Sequence, residues 1–270
     1  MFDKVLIANR GEIAVRINRA CQELGISTVA IHSEADADSM HVRIADESVC
    51  IGPNPVNKSY LNAHAIISAC EITGAQAVHP GYGFLSENAS FAKMLDDHKL
   101  TFIGPKHKHI SMMGDKIEAK KIMQEYGVPT VPGSKGAVAD LKDALKTSKD
   151  IGFPVLLKAS AGGGGRGMKV VNDEKELTDA LPIIKQEALS FFGNDSIYIE
   201  KFIDSPRHIE IQVICDSHNN FLHLHERDCS IQRRNQKVIE EALAPEIDQA
   251  KKEKLFKICI DAMAKMGYLG

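Results

Sequence analysis

The chain has 270 residues, of which 44% are hydrophobic and 26% are charged, a balance typical of water-soluble globular proteins. Its net charge of −3 lacks the basic excess by which proteins bind nucleic acid, so no nucleic-acid partner is expected. No apolar run is long enough to cross a bilayer, and residues 1–10 do not have the pattern of a signal peptide. The six cysteines include no CxxC pair and are expected to be reduced thiols, which predicts a cytoplasmic protein with no membrane partner.

The first part of the chain alternates apolar strands with amphipathic helices, which is the pattern of a mainly parallel sheet. Strands are predicted at residues 4–8, 28–31, 76–79 and 101–103, and helices at residues 12–24, 62–73 and 88–98. This order predicts a Rossmann-like domain. The first strand-to-helix turn reads A-N-R-G-E-I-A and lacks the glycines of a dinucleotide site, so the domain is interpreted as a scaffold or as a wall for another ligand.

The second part of the chain begins near Lys106 and mixes helices with closely spaced strands. Two prolines and a glycine within residues 128–133 predict an extended connector. Helices are predicted at residues 116–126, 140–150, 174–190 and 247–266, the third one interrupted or offset by Pro182, and strands at residues 155–158, 168–171, 197–203, 208–215 and 221–225.

A glycine-rich segment joins two of these strands, from Lys158 to Met168, and reads K-A-S-A-G-G-G-G-R-G-M. The spelling contains GxGxxG, but a strand follows it instead of a helix, and no Gly-Lys-Ser/Thr closes it as in a Walker loop. Backbone N–H groups of glycines can approach phosphate oxygens closely, and Lys158 adds a positive charge. The segment is therefore predicted to be a phosphate-covering flap, with a plain flexible hairpin tip as the alternative.

Charged and polar residues recur in the strands and in the connection that follow. His208, Glu210 and Gln212 share one face of the strand at residues 208–215, and periodicity alone leaves open whether that face meets a ligand or solvent. Residues 226–237 are interpreted as a loop that concentrates cationic donors for an anion, although a solvated loop is the alternative. The histidines have no Cys or carboxylate partner at ligand spacing, so no zinc site is expected.

Five motifs, in this order along the chain, closely resemble the biotin carboxylases of the ATP-grasp superfamily. They are K-V-L-I-A-N-R-G-E-I-A, H-P-G-Y-G-F-L-S-E-N, K-A-S-A-G-G-G-G-R-G-M, R-H-I-E-I-Q and E-R-D-C-S-I-Q-R-R-N-Q-K. The resemblance implies an α/β fold with an α+β lid. A Rossmann-like N-terminal domain would cover residues 1–112, followed by an ATP-grasp region at residues 113–270, with a lid at about 132–203 and a core truncated at its C-terminus.

The resemblance also implies a reaction. Bicarbonate would attack the γ-phosphate of ATP, with Mg²⁺ or alternatively Mn²⁺ as the metal, and the resulting carboxyphosphate would carboxylate biotin on a biotin carboxyl carrier protein. The implied parent is the biotin carboxylase of acetyl-CoA carboxylase in fatty-acid synthesis, a homodimer that works with carboxyltransferase subunits. The alternatives are the equivalent domain of a pyruvate, propionyl-CoA or methylcrotonyl-CoA carboxylase, or an inactive nucleotide-binding fragment. A carbamoyl-phosphate synthetase half fits the last motif less well.

Roles for individual residues follow from the same resemblance. Lys237 corresponds to the bicarbonate-binding lysine, and Asn235 stands where the family commonly has a histidine. The metal-binding residues are expected beyond Gly270, so the 270-residue chain by itself is expected to be inactive or nearly so. The implied ATP contacts are Lys116, Lys158, Gly164, Gly165, Met168, Glu200, Lys201, Phe202, Ile203, His208, Gln232 and Asn235.

Overall fold

The computed structural model describes residues 1–114, 116–160, 167–233 and 236–270, without the side chains of Lys116, Ile117 and Phe192. The chain forms two compact units. The first unit contains Met1–Asp115, Cys215–His218 and Gly267–Gly270, and the second contains Lys116–Ile214 and Asn219–Met266. Among the helices within these described ranges, none is both long enough and apolar enough to cross a membrane.

The first unit is built around a parallel sheet of five strands in the order β3-β2-β1-β4-β5. Its elements are β1 (Lys4–Ile7), α1 (Gly11–Glu23), β2 (Ser27–His32), α2 (Met40–Arg43), β3 (Glu47–Cys50), α3 (Ala63–Thr73), β4 (Ala77–His79), α4 (Ala89–Asp97), β5 (Thr101–Phe102) and α5 (His107–Gly114). This topology confirms the Rossmann-like domain. The sequence does not predict α2, β3 and α5, because these elements have neither a long apolar run nor a clear helical stripe.

The central strand of this sheet is buried on both faces. Leu6 belongs to the hydrophobic core on one side of the sheet, and Val5 and Ile7 belong to the core on the other side. Successive side chains of a strand point to opposite faces, so a strand covered on both sides must be apolar at every position. This is why the predicted strand at residues 4–8 is a continuous apolar run and not an alternating one.

Asn9 connects the first two sequence motifs of the chain. Its side-chain amide is buried and donates hydrogen bonds to the carbonyl oxygens of Pro80, at 2.7 Å, and Tyr82, at 2.8 Å. A Cβ at Gly81 would lie 2.8 Å from the same amide nitrogen, and Gly81 has a φ of +64°. The segment after β4 therefore needs glycine at this position, for backbone conformation and for space.

The second unit begins with a three-stranded antiparallel sheet and two helices packed on it. Its first elements are α6 (Lys116–Glu125), α7 (Leu141–Ile151), β6 (Val155–Ala159), β7 (Met168–Val171), α8 (Glu174–Phe192) and β8 (Ile197–Lys201). The strand order is β7-β6-β8, and one core of buried residues from both helices and all three strands covers one face of the sheet. A strand, a glycine-rich connection and a second strand thus occur as the sequence predicts.

Pro182 does not interrupt α8, contrary to the sequence-based expectation. A proline in a helix interior removes a hydrogen bond and costs roughly 3 kcal/mol. Here the proline lies on the exposed side of the helix. At the N-terminus, the side chain of Asp173 caps the helix by accepting a hydrogen bond from the backbone N–H of Glu176 at 2.8 Å. Leu181 and Ile184 on either side are buried in the core, and their packing holds the helix continuous across the proline.

The remaining elements are a second antiparallel sheet and a long helix. They are β9 (Ile209–Cys215), β10 (Phe221–Arg233), β11 (Gln236–Ala242) and α9 (Gln249–Met266), with the strand order β11-β10-β9. The interpretation of residues 226–237 as a loop is therefore wrong, because most of this segment lies in β10 and β11. Its charged residues sit on a pleated ladder in which Asp228 pairs with Glu241 and Gln232 with Lys237, so pairing with β11 overrides the loop-like composition.

Candidate functional site

A row of side chains, most of them polar, crosses the sheet of β6, β7 and β8 on the face opposite its core. Lys158 on β6 is paired with Met168 on β7 and with Tyr198 on β8, so the three side chains lie on one face. Glu200 follows two positions after Tyr198 and shares that face, whereas Ile199 points into the core. The strict alternation of buried and partly exposed residues in β6 thus places three of the predicted ATP contacts together.

Glu200 is held between two lysines. Lys158 Nζ donates to Glu200 Oε2 at 2.5 Å, and Lys120 Nζ donates to Glu200 Oε1 at 3.0 Å. The Glu200 side chain is only 15% exposed, so burial by itself would raise the pKa of its carboxyl group. The hydrogen bonds from Lys158 and Lys120 outweigh burial and hold that pKa below its ordinary value, so Glu200 is an anion at neutral pH.

A cavity of about 480 Å³ adjoins this triad and is lined by Lys120, Lys158, Tyr198 and Glu200 together with the connector before α7. Gly133 of the connector forms a β-bridge with Glu200, and the backbone N–H of Ser134 donates to the Ile199 carbonyl at 2.8 Å. A Cβ at Gly133 would lie 2.6 Å from that carbonyl oxygen, so only glycine allows this approach. The connector therefore forms one wall of a partly polar pocket.

The end of β8 is fixed by contacts with backbone carbonyls. Lys201 Nζ donates to the carbonyl oxygens of Gly152 at 2.9 Å and Phe153 at 3.0 Å, next to the C-terminal end of α7. This places a cation at the negative end of the helix dipole. The backbone N–H of Phe202 donates to the Pro154 carbonyl at 3.2 Å, and the Ile203 side chain is about half exposed. In this structure the ammonium of Lys201 is thus occupied in holding β8 against α7.

A second charged group lies on the sheet of β9, β10 and β11, and its centre is Glu210. Lys237 and Arg227 both donate to its carboxylate, the Arg227 Nε at 2.8 Å. Arg227 also donates to Gln212 Oε1 at 3.0 Å and lies 3.5 Å from Glu240. Burial would raise the pKa of Glu210, but the two cations lower it, and the hydrogen bond to Glu210 raises the pKa of Lys237.

His208 and Gln232 are in direct contact, as neighbouring strands place them. Gln232 Nε2 lies 2.8 Å from His208 Nδ1 and also donates to the Cys229 carbonyl at 3.0 Å. The His208 backbone is bonded on both sides, with its carbonyl accepting from Cys229 at 2.7 Å and its N–H donating to Ser230 Oγ at 2.9 Å. Two residues predicted as nucleotide contacts are therefore fixed to each other.

One group of possible metal-ligand atoms occurs among the described residues, and it does not suit Mg²⁺. The donor atoms of Glu210, Cys229 and Glu240 lie within 4.8 Å of one another. Lys237 and Arg227 already neutralise Glu210, and burial raises the pKa of the Cys229 thiol. Mg²⁺ needs oxygen ligands with uncompensated charge, which this cluster does not offer. The histidine rings near β10 pack on Phe256 instead, with His223 stacked at 4.0 Å.

Four predicted ATP contacts lie wholly or partly outside the described residues. Gly164, Gly165 and Asn235 fall in the ranges that the structure does not describe, and Lys116 is the first residue of α6 but its side chain is not described. Sequence reasoning missed Lys120 completely and named Glu210 and Arg227 only as polar or cationic residues. The alternation His208-Glu210-Gln212 was the available signal for Glu210. No sequence signal separates Lys120 from the other lysines of α6.

A parallel α/β domain, followed by an antiparallel sheet whose paired strands β6 and β7 flank a glycine-rich segment and then by a further antiparallel sheet, is the fold of an ATP-grasp protein. Two family patterns match the chain: "Biotin carboxylase, N-terminal domain" over residues 1–110 and "Carbamoyl-phosphate synthase L chain, ATP binding domain" over residues 115–270. The chain belongs to the biotin carboxylase family, which confirms the resemblance read from the five motifs.

Individual relatives agree with this assignment. The biotin carboxylase of Pseudomonas aeruginosa is 55% identical over 271 residues, covering 100% of this chain and 60% of the relative. The mitochondrial propionyl-CoA carboxylase alpha chain of Mus musculus is 58% identical over 253 residues, covering 92% of this chain and 35% of the relative. The solved biotin carboxylase domain dimer of the Hydrogenobacter thermophilus 2-oxoglutarate carboxylase, in complex with MgADP, ADP and bicarbonate, has a TM-score of 0.89 and 49% identity, covering 100% of this chain and 59% of that one. The chain thus spans about 60% of the length of the biotin carboxylases that it matches.

Proposed function

We propose that this chain contains the lid, the scaffold domain and one side of the active site of an ATP- and bicarbonate-dependent biotin carboxylase. The observation on which the proposal depends is the Glu200–Lys158 pair beside a pocket, where Lys158 lies on the strand that leads into the glycine-rich segment and Glu200 lies on the neighbouring strand β8. Support comes from the family assignment and from the relative solved with MgADP and bicarbonate. The complete enzyme would transfer a carboxyl group to biotin through carboxyphosphate.

ATP would bind along the polar face of the first antiparallel sheet. Glu200 would accept a hydrogen bond from the adenine amino group, with backbone groups of residues 201–203 beside the ring, and Met168 would supply apolar contact. Lys158 and Lys116 would place positive charge on the phosphates, and the backbone N–H groups of Gly164 and Gly165 would cover them. His208, Gln232 and Asn235 would complete the nucleotide site. Phosphoryl transfer needs charge neutralisation and positioning more than covalent help, which suits this set of residues.

Bicarbonate would bind at Lys237. The ammonium of Lys237 and the guanidinium of Arg227 both donate to the carboxylate of Glu210, so two cationic side chains lie beside one anionic side chain. A second small anion can share these donors because each cation has N–H groups left over. Closure of the lid would exclude water from carboxyphosphate, which hydrolyses readily.

The metal of the reaction is proposed to be Mg²⁺, or Mn²⁺, bound to ATP. The described residues do not form a site for it, and we propose that its protein ligands come from outside these 270 residues. In the bound nucleotide the metal would neutralise phosphate charge. The steps assigned to this chain are nucleotide binding, bicarbonate binding and exclusion of water.

The parent enzyme is proposed to be the biotin carboxylase of an acetyl-CoA carboxylase, and to be cytoplasmic and homodimeric. Its substrate would be a biotin carboxyl carrier protein, which then interacts with carboxyltransferase subunits in fatty-acid synthesis. A propionyl-CoA, pyruvate or methylcrotonyl-CoA carboxylase is the second candidate. The observation in its favour is the 58% identity to the mouse propionyl-CoA carboxylase alpha chain, against 55% to the Pseudomonas aeruginosa biotin carboxylase. Assaying carboxylation of the purified carrier protein of each system would distinguish them.

The proposed reaction is tested by measuring bicarbonate-dependent ADP formation in the presence of free biotin, with the complete protein. Lys237→Gln is expected to lower the rate roughly 100-fold, the usual effect of removing one charge-stabilising donor. Lys254→Gln, an exposed lysine of α9, is the matched control and is expected to keep the wild-type rate. Full activity of Lys237→Gln would contradict the role of Lys237, and absence of biotin-dependent turnover in the wild type would refute the proposed function.

A further inference from the structure

Lys120 is the one cation of the Glu200 triad to which no sequence motif points. It lies on α6 with its side chain 22% exposed, and its ammonium is 3.0 Å from Glu200 Oε1, on the opposite carboxylate oxygen from Lys158. It comes from a helix, whereas Lys158 and Glu200 come from neighbouring strands. Three separate elements therefore meet at one carboxylate.

The ammonium of Lys120 is confined by the connector before α7. A Cβ at Gly133 would lie 3.0 Å from Lys120 Nζ and 3.2 Å from Glu200 Cγ. The absence of a side chain at Gly133 thus leaves the space in which Lys120 reaches Glu200. Lys120 is fixed at the pocket wall and is not a freely solvated surface charge, so its contact with Glu200 is stronger than that of an exposed pair.

The charges of the triad are unequal, with two ammonium groups for one carboxylate. Lys158 has two competing partners in the proposed function, namely Glu200 and the phosphates of the nucleotide. When the phosphates draw Lys158 away, Lys120 still compensates Glu200. Without Lys120, Glu200 would either retain Lys158 or become a partly buried carboxylate with no cation, which is a costly state.

We propose that Lys120 is a positioning residue that determines nucleotide specificity: it fixes Glu200 for reading the 6-amino group of adenine and leaves Lys158 available to phosphate. The inference rests on the proposed function. Each oxygen of Glu200 has two lone pairs and accepts one lysine, so each can still accept an N–H of the adenine amino group. A purine with a 6-oxo group presents an acceptor to the same carboxylate and is rejected, because two acceptors repel.

The test compares the dissociation constants of MgATP and MgITP, measured by calorimetry on the complete protein. ITP carries the 6-oxo group and the same triphosphate, so the ratio of the two constants isolates reading of the base. Wild type is expected to prefer ATP. Lys120→Met is expected to weaken ATP binding roughly tenfold and ITP binding much less, since a hydrogen bond to a charged group contributes at least a factor of that size. Lys120→Arg is expected to retain most of the preference.

A double-mutant cycle separates positioning from general loss of structure. If Lys120 acts through Glu200, then Glu200→Gln alone lowers the ITP/ATP ratio, and adding Lys120→Met to it lowers the ratio no further. Lys146→Met on α7 is the matched control, because Lys146 is exposed and its replacement removes the same positive charge as Lys120→Met. It is expected to keep both dissociation constants and the melting temperature. If Lys120→Met does not fold, Lys120→Gln replaces it in the cycle.

The outcomes distinguish this inference from the function on which it rests. A complete wild-type protein that binds neither nucleotide overturns both. A wild type that binds ATP and ITP equally overturns adenine reading by Glu200 and the role of Lys120 with it, while the phosphate site stands. A wild type that prefers ATP, together with a Lys120→Met variant that keeps the whole preference, overturns the role of Lys120 alone.

Discussion

Two carboxylates, Glu200 and Glu210, are each bound by two cationic side chains from different elements. A partly buried carboxylate with a single cation would lose that partner whenever a ligand anion competed for it. If Lys158 and Lys237 bind ligand anions as proposed, the second cation, Lys120 at Glu200 and Arg227 at Glu210, would keep each carboxylate paired with a positive charge. Lys120 lies outside the five motifs and Arg227 lies inside one of them, but no motif shows that either cation shares a carboxylate with its partner lysine.

Gly133→Ala tests the close approach that builds the pocket wall. The added Cβ would lie 2.6 Å from the Ile199 carbonyl oxygen, a backbone atom that cannot move alone, so the free energy of unfolding is expected to fall by about 1–3 kcal/mol. Urea unfolding measures this change. Gly136→Ala is the matched control, because its Cβ meets no atom within 4 Å, and it is expected to change stability by less than about 0.5 kcal/mol. Equal effects of the two substitutions would contradict the steric argument.

Asp228 predicts a specific dependence of stability on pH. Arg207 donates to its carboxylate at 2.6 Å and Ser230 donates with its hydroxyl and its N–H, which lowers the pKa of Asp228 from 3.8 to about 2. A carboxyl group with a lowered folded-state pKa stabilises the fold above pH 3.8 and loses that contribution as the pH falls towards 2. Asp228→Asn is therefore expected to be less stable than wild type at neutral pH, and the difference should shrink below about pH 4.

The measurement is urea unfolding of both proteins at a series of pH values. Asp195→Asn, which removes an exposed carboxylate of the same unit, is the control and is expected to follow the wild-type curve. A difference between wild type and Asp228→Asn that stays constant down to pH 2 would show that the ion pair with Arg207 is not its origin.

At the scale of elements, packing and pairing decide where local sequence signals conflict. α8 continues through Pro182 because the core-facing residues on either side of it, Leu181 and Ile184, are buried, and β10 runs through a highly charged stretch because β11 pairs with it. In both cases the local composition favours a break, and contacts distant in sequence outweigh it.

Pro182→Ala tests the cost that α8 tolerates. Alanine restores a backbone donor in the helix interior and has a higher helix propensity, and the site is exposed, so no core contact is lost. The melting temperature is expected to rise, with a gain in unfolding free energy of about 1 kcal/mol or more. The companion substitution Leu181→Ala, in the core, is expected to cost about 2–5 kcal/mol. A lower stability of Pro182→Ala would mean that the proline fits a local bend on which packing depends.

At the scale of the whole molecule, the sheet of β9, β10 and β11 exposes several large apolar side chains. Leu222, Leu224 and Val238 are 58%, 59% and 60% exposed. Leu222 and Leu224 lie two positions apart on β10 and so share one face of that strand, and exposed apolar side chains grouped in this way are normally covered or drive association. The 270-residue chain on its own is therefore expected to self-associate. Because the protein ligands of the metal are proposed to lie outside these residues, it is also expected to release little or no phosphate in the presence of bicarbonate and biotin.

Sedimentation velocity and a phosphate-release assay on the isolated chain check this expectation. A variant with Leu222 and Leu224 replaced by Thr is the control, and it should sediment more nearly as a monomer if this face causes the association. A monodisperse wild-type chain with a cooperative melt would contradict the expectation for the apolar face. Robust carboxylation of biotin would contradict the expected inactivity.

The class of fold, the family and the order of most elements could be predicted from local stretches of the sequence. Buried strands such as β1 need apolar residues at every position, and a glycine run between two strands has few structural uses, so these features can be read locally. The five ordered motifs were sufficient for the family. In each of these cases the residues that determine the feature lie in one continuous stretch of the chain.

Which charged side chains contact each other depends on the tertiary structure and cannot be read from any one stretch of sequence. Lys120 lies 80 residues from Glu200, and Arg227 lies 17 residues from Glu210, separations at which no sequence periodicity links two side chains. The β10–β11 pairing likewise depends on a partner strand and not on the composition of residues 226–237. A hydrogen bond forms when two atoms come within about 3 Å of each other, and the path of the backbone sets that distance. The two strands around the glycine-rich segment were therefore predictable from the local sequence, whereas the two cation-bound carboxylates became visible only in the folded chain.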